Sequence, residues 1–243
     1  MTYWLVKAIL TPVLRFFYRV QVEGLEHLPA EGPVILASNH VSFCDSIFLP
    51  MVLRRRVTFV AKAEYFDDPK TAWFFRAVGQ IPIRRDGGSS SAGALAAARG
   101  VLEAGGVFAI YPEGTRSPDG RLYRGHTGVA RLALACRAPI VAVAMIGTRE
   151  AQPIGQVMPN LFVPITIRLG RPITYERLYD RLDDRLALRD ITDEVMYELR
   201  ELSGQEYVPA YAKRKDGDAA EAGAPEPVRI SALAPPPVLA SVS

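Results

Sequence analysis

Short apolar runs alternate with stretches of helical spacing through most of this chain, and that alternation predicts an α/β domain. The runs predict strands at 34–38, 57–61, 80–84, 107–111, 140–146 and 165–169. Between them, helical spacing covers 46–53, 69–78, 92–104, 127–137 and 188–202. Asp68 is placed to cap one helix, and Gly105 and Gly204 to end two others. There is no internal repeat.

The first residues, YWLVKAILTPVLRFFYRV, are apolar but interrupted by Arg15 and Arg19. No cleavage site follows, so a signal peptide is not indicated, and the apolar run is too short for a spanning helix. Lys7, Thr11, Arg15 and Arg19 recur every four residues, while Trp4, Leu5, Ile9, Leu10, Leu14, Phe16 and Phe17 cover the remainder. This pattern predicts an amphipathic helix over 1–19 lying in an anionic membrane interface; the same spacing also suits a helix docked on the protein's own core. Pro12 is expected to kink it or divide it in two.

Composition changes the picture at the other end. From 213 to 243 the chain turns to Ala, Pro, Gly and charge, with APEPV and APPPV, which predicts a disordered tail. The segment 20–212 is then one domain, and 243 residues at 49% apolar suffice for one core. A net charge of +3 gives no reason to expect a nucleic-acid partner. Cys44 and Cys136 lie far apart without CxxC spacing, which suits a reducing compartment, the cytoplasm. His27, expected to be exposed near Pro29, offers no helical ligand pair with His40 or His126, so no metal is expected. Arg54, Arg55 and Arg56 read most simply as a solvated helix end.

Three strand ends carry candidate chemistry. SNHVSFCDS follows the first strand, with His40 and Asp45 five positions apart. A turn between them would bring the carboxylate under the imidazole, fixing its tautomer and making a general base; alternatively, Asp45 only caps a helix beside a polar loop histidine. YPEGTRS follows another strand and clusters Glu113, Gly114, Thr115 and Arg116. GQIPIRRD ends a third with Arg84 and Arg85, and Lys62 ends the strand in VAKAEYF. Parallel strands collect their ligands at such an edge, and the arginine fork suits phosphate. Cys44 beside Asp45 invites a cysteine nucleophile, although a free cysteine is more often a small buried hydrophobe.

With these stretches in their order, the chain resembles the glycerolipid acyltransferases, the family that includes 1-acyl-sn-glycerol-3-phosphate acyltransferase. NHVSFCD resembles its H-x4-D motif, GQIPIRR its G-x-I-x-x-x-R motif, YPEGTRS its F-P-E-G-T-R-S motif and APIVAVAM its last motif, between about residues 20 and 146. Arg84 stands where relatives commonly carry aspartate, Tyr111 replaces phenylalanine and Ala142 replaces a proline.

The resemblance implies a single mixed, largely parallel sheet flanked by helices. It implies acyl transfer from acyl-CoA or acyl carrier protein to the free hydroxyl of lysophosphatidic acid, giving phosphatidic acid, with His40 as base oriented by Asp45. Arg85 and Arg116 would hold the acceptor phosphate, Glu113, Gly114 and Thr115 would shape the site, and Lys62 and Arg84 are further phosphate candidates. No cofactor beyond the thioester co-substrate is implied, and the enzyme would sit peripherally or monotopically on the cytoplasmic face of the cell membrane. Another lysophospholipid or glycerol 3-phosphate as acceptor, a lipid hydrolase using Cys44 or Ser42, and a non-catalytic membrane module are the alternatives.

Overall fold

The computed structural model describes residues 2–83 and 90–213. The strands are β1 (Arg19–Glu23), β2 (Val34–Ser38), β3 (Val57–Thr58), β4 (Val60–Lys62), β5 (Ile81–Ile83), β6 (Val107–Ile110), β7 (Leu122–Tyr123), β8 (Ile140–Ile146), β9 (Pro164–Leu169) and β10 (Tyr207–Val208). The helices are α1 (Thr2–Phe17), α2 (Asp45–Val52), α3 (Glu64–Asp67), α4 (Pro69–Ala77), α5 (Ser90–Glu103), α6 (Gly128–Cys136), α7 (Thr148–Ala151) and α8 (Arg185–Ser203).

Six strands form one twisted sheet in the order β1-β9-β8-β2-β6-β3. All its pairings are parallel except β8 with β9. The architecture is therefore the expected mixed, largely parallel sheet with flanking helices, but two small parallel pairs, β4/β5 and β7/β10, stand apart from it. The single strand expected at 57–61 is split between two sheets. Phe59, whose amide donates to Gln80 Oε1 at 2.7 Å, is the break, so β3 stays beside β6 while β4 turns away to β5.

Central β2 is buried along its whole length, which explains why its sequence reads as an unbroken apolar run. Its side chains alternate between two cores. Ile35 and Ala37 pack with α5, α6 and α8 on one face, and Val34 and Leu36 pack with Phe48 and Leu49 of α2 on the other. Asp184 caps α8 by accepting from the amides of Leu186 and Ala187, and Gly204 ends it at φ 70°.

The first helix departs from expectation in two ways. It runs unbroken through Pro12, because Pro12 and Ala8 both lie on the exposed side and the carbonyl freed by proline is not buried. Its four-residue polar stripe also does not face outward as a unit. A spacing of four drifts about 40° per step around a helix, so Lys7 and Thr11 point inward while Arg15 is exposed. Lys7 Nζ donates to the carbonyls of Pro50 and Leu53 at the C-terminal end of α2, and burial lowers its pKa. The face left exposed is apolar: Trp4, Leu5, Ile9, Val13 and Phe16. No helix among the described residues is long and apolar enough to cross a membrane.

Two smaller expectations are also corrected. Arg55 is no solvated helix end; its guanidinium clamps the carbonyls of Pro29, Gly32 and Gly105 at 2.9, 2.6 and 2.9 Å. His27, expected to be exposed, lies within 2.9 Å of the Leu169 carbonyl through Nδ1.

Candidate active site

Because β2, β6 and β8 are parallel neighbours, with Ala37 beside both Ile110 and Ala142, the loops leaving their C-terminal ends meet at one edge. His40 leaves β2 there and Tyr111 leaves β6. Asn39 fixes the exit. Its Nδ2 donates to Met145 O at 3.0 Å and its Oδ1 accepts from Met145 N at 2.7 Å, so the side chain continues the sheet toward β8. The chain then turns back sharply and begins α2 at Asp45.

That turn brings the imidazole and the carboxylate together. His40 Nδ1 lies 2.9 Å from Asp45 Oδ2, the same oxygen that accepts from the amides of Val41 at 2.9 Å and Ser42 at 2.8 Å. Asp45 is fully buried. With three donors converging on one oxygen, the carboxylate both shapes the loop and holds the proton on Nδ1, leaving Nε2 as the basic nitrogen. The helix-cap alternative for Asp45 is not what is seen: its side chain binds the loop before α2, and Cys44 occupies the N-cap position without a side-chain bond.

Tyr111 stacks flat on the His40 ring, with centroids 3.7 Å apart and planes 8° from parallel. Its hydroxyl shares a 2.7 Å hydrogen bond with Ser46 Oγ, and burial pushes its pKa well up, so it stays neutral. A phenylalanine here would stack equally but lose the tie to α2. Glu113 holds backbone. It is buried, Oε1 accepts from the amide of His40 at 3.2 Å and Oε2 from that of Tyr123 at 2.9 Å, so it struts the histidine's backbone. Burial pushes its pKa up to about 7 against the pull of those two bonds. The adjoining amide of Ser117 donates to His40 O at 2.7 Å, closing the second side of the loop.

His40 opens onto a cavity of about 660 Å³. Gly114, Thr115 and Arg116 line it with His126, Thr127 and Arg131, whereas Glu113 does not. Gly114 has φ 72°, and a Cβ there would sit 3.1 Å from the His126 ring, so the turn requires glycine. Tyr3, Val6, Leu10 and Leu14 of α1, with Phe43 and Ile47 near the start of α2, give the cavity an apolar lining that Lys7 of the same helix interrupts. Ile83, the last residue of β5, lines the same cavity. Arg84 and Arg85 fall outside the described residues, as does the tail beyond Lys213, and of Lys62 only the backbone in β4 is described. Ala142 is buried in β8 and does not reach the cavity.

The nucleophiles considered from sequence are turned away. Ser42 Oγ donates to Gln152 O at 2.9 Å, and Cys44 Sγ to Gln152 Oε1 at 3.1 Å. Burial pushes the Cys44 thiol up to about 11, and neither residue lines the cavity. Among the described residues no group of three or more His, Cys, Asp or Glu is arranged to hold a metal ion.

A family model described as Acyltransferase matches residues 19–146, a span that includes His40, Asp45, Glu113 and Arg116. The chain belongs to the acyltransferase family. A chloroplastic 1-acyl-sn-glycerol-3-phosphate acyltransferase of Arabidopsis thaliana is 33% identical to this acyltransferase over 140 residues, covering 57% of the chain and 39% of the relative. A 1-acyl-sn-glycerol-3-phosphate acyltransferase of Limnanthes alba is 32% identical over 173 residues, covering 70% and 60%. The chain thus spans about two fifths to three fifths of these relatives' lengths. The crystal structure of the 1-acyl-sn-glycerophosphate acyltransferase PlsC of Thermotoga maritima shares the fold, with a TM-score of 0.61, 24% identity, and coverage of 82% of this chain and 78% of that one.

Sequence reasoning missed three contributors to the site of this acyltransferase. Asn39 carried a signal, since it directly precedes His40 in the quoted motif. His126 and Tyr211 carried none: their rings stack at 4.5 Å only because β10 pairs with β7 and Arg124 N donates to Ala210 O at 3.0 Å, which carries the C-terminal segment back over the cavity.

Proposed function

We propose that this acyltransferase moves a fatty acyl group from a thioester, acyl-CoA or acyl carrier protein, to the free hydroxyl of lysophosphatidic acid, yielding phosphatidic acid. The observation that carries the reading is a dyad of a half-buried imidazole on a buried carboxylate, His40 Nδ1 to Asp45 Oδ2 at 2.9 Å, opening onto one cavity that combines apolar lining with Arg116. A lysophospholipid has that duality: an acyl chain for the first and a phosphate for the second.

His40 Nε2 takes the proton from the acceptor hydroxyl as its oxygen attacks the thioester carbonyl carbon. Asp45 stabilises the imidazolium that forms. The tetrahedral intermediate collapses, the C–S bond breaks, and the imidazolium returns its proton to the leaving thiolate. Ester and free thiol are the products. The thioester is already activated, so the sequence of steps uses no acyl-enzyme, in keeping with a Cys44 thiol raised to about 11 and bonded to Gln152. It draws on no cofactor beyond the co-substrate. Arg116 binds the acceptor phosphate bidentately, Gly114 lets the loop approach closely, and Glu113 keeps the backbone of His40 in line. Arg85 joins Arg116 on the acceptor phosphate by its place in the motif, and Arg84 and Lys62 are further candidates by their positions at strand ends. Because both donors are soluble cytoplasmic thioesters and the acceptor is a membrane lipid, the enzyme works peripherally on the cytoplasmic face, with the outer apolar face of α1 against the bilayer.

The test is a steady-state assay with labelled acyl-CoA and a panel of acceptors, run on the wild type and on Arg116→Lys. The lysine keeps charge but loses the fork, so KM for lysophosphatidic acid rises about tenfold or more while KM for the donor changes little. Equal turnover of an acceptor lacking phosphate, or unchanged acceptor kinetics in the variant, overturns the assigned substrate.

A further inference from the structure

We infer that the loop Val157–Phe162 is a second membrane-docking element, a wedge that enters the lipid interface beside α1. The inference takes its lipid substrate from the function proposed above. Between Glu150 and Arg168 the chain carries no charged residue. Four large apolar side chains there are turned to the outside: Val157 is 85% exposed, Met158 74%, Phe162 69% and Leu161 46%. Such a cluster on a loop is not spent on the protein's own core.

The loop's backbone is prepared for a medium poor in water. Gln152 Nε2 donates to the carbonyls of Gln156 at 3.3 Å and Val157 at 3.1 Å, and Gln156 Nε2 donates to Met158 O at 2.6 Å. Gln156 Nε2 also donates to Asn160 Oδ1 at 2.9 Å, and the Asn160 amide donates to Ala151 O at 2.6 Å. Gln152, Gln156 and Asn160 thus satisfy the loop's carbonyls from within the loop, while the large apolar side chains stand exposed. In an aqueous loop water would serve those carbonyls; in the lipid interface an internal partner is needed.

The loop is continuous with the exposed face of α1. Phe162 N donates to Phe17 O at 2.9 Å, and the Phe17 and Phe162 rings lie 6.1 Å apart. Phe162 is held at φ 63°, a left-handed backbone that a bulky residue adopts only under constraint, and it leaves the ring outside. Arg15 in the last turn of α1 and Arg19 at the start of β1 are exposed, matching anionic headgroups. The inner face of α1 lines the catalytic cavity. Charge, continuity and the internally paired backbone together favour a bilayer over a protein partner.

The experiment compares the full chain with the double variant Val157→Ser/Met158→Ser and with Phe162→Asn, asparagine being tolerant of left-handed backbone. Partition onto vesicles of phosphatidylcholine with phosphatidylglycerol is measured by flotation, alongside thermal midpoint and turnover of a soluble short-chain acceptor. The double variant should lose about tenfold in partition coefficient. Its midpoint and soluble turnover should be unchanged, because neither side chain is packed. Unchanged partition overturns the inference, as does unchanged partition accompanied by a dimer-to-monomer shift in sedimentation, which assigns the loop to a second copy of the chain. If partition falls but even the wild type transfers no acyl group, the wedge stands and the acyltransferase reading falls.

Discussion

Replacing Asp45 by asparagine separates the two tasks of that carboxylate. The amides of Val41 and Ser42 both point at Oδ2, so the asparagine must set its carbonyl oxygen there and turn its NH2 to the position of Oδ1. Oδ1 is buried without a partner, so one atom is unpaired before and after the change, and the thermal midpoint should move little. The carbonyl still accepts from His40 Nδ1, which preserves the tautomer. What disappears is the negative charge beside the imidazolium. At 2.9 Å and an effective dielectric constant of about 20, that attraction is about 6 kcal/mol. Spreading each charge over its group lengthens the mean separation and reduces this to about 4 kcal/mol, or roughly a thousandfold in kcat. Thiol release with a disulfide dye reports kcat directly, and His40→Ala supplies the floor. A folded Asp45→Asn enzyme within tenfold of wild type would leave Asp45 as an anchor for the loop and nothing more.

Other expectations follow from buried or paired groups. Glu113 has a folded pKa of about 7, above the ordinary carboxyl value of 4.5, so the folded state holds the extra proton between those values. Its contribution is most favourable below about pH 4.5 and declines as pH rises to about 7, by about 3 kcal/mol in total. Thermal melts of wild type and Glu113→Gln from pH 5 to 8 should therefore shift in favour of the variant with rising pH, and parallel profiles would refute this. Cys44→Ala should keep most acyl transfer at a stability cost of about 1 kcal/mol, whereas an acyl-thioester found on Cys44 by mass spectrometry would sink direct attack. Lys7→Met should strand the carbonyls of Pro50 and Leu53 and loosen α1 by about 1–2 kcal/mol. Faster amide exchange in α1, with that of β2 and β8 unchanged, is the expected signature.

What one short window of residues can enforce was already legible along the chain. Residues 34–38 and 140–146 read as strands because both faces of β2 and β8 are covered, which demands a continuous apolar run. His40 and Asp45 were legible because five residues can make one turn, and Gly204 was legible as the end of α8 because a left-handed residue there needs only glycine. Edge strand β1 was hidden, since only alternate residues of Arg19–Glu23 are partly buried and its partner β9 lies far along the chain. The rest depends on which surface a side chain meets. Lys7 turns inward to α2, Arg55 clamps three distant carbonyls, Glu113 supports the backbone of His40, and Tyr211 returns over the cavity through the β7/β10 pair. Each of these partners is joined by loop closure rather than by local propensity. Local spacing says which residues are polar or apolar; only the closed fold decides whether a lysine faces headgroups or a helix end, and whether a glutamate faces substrate or backbone.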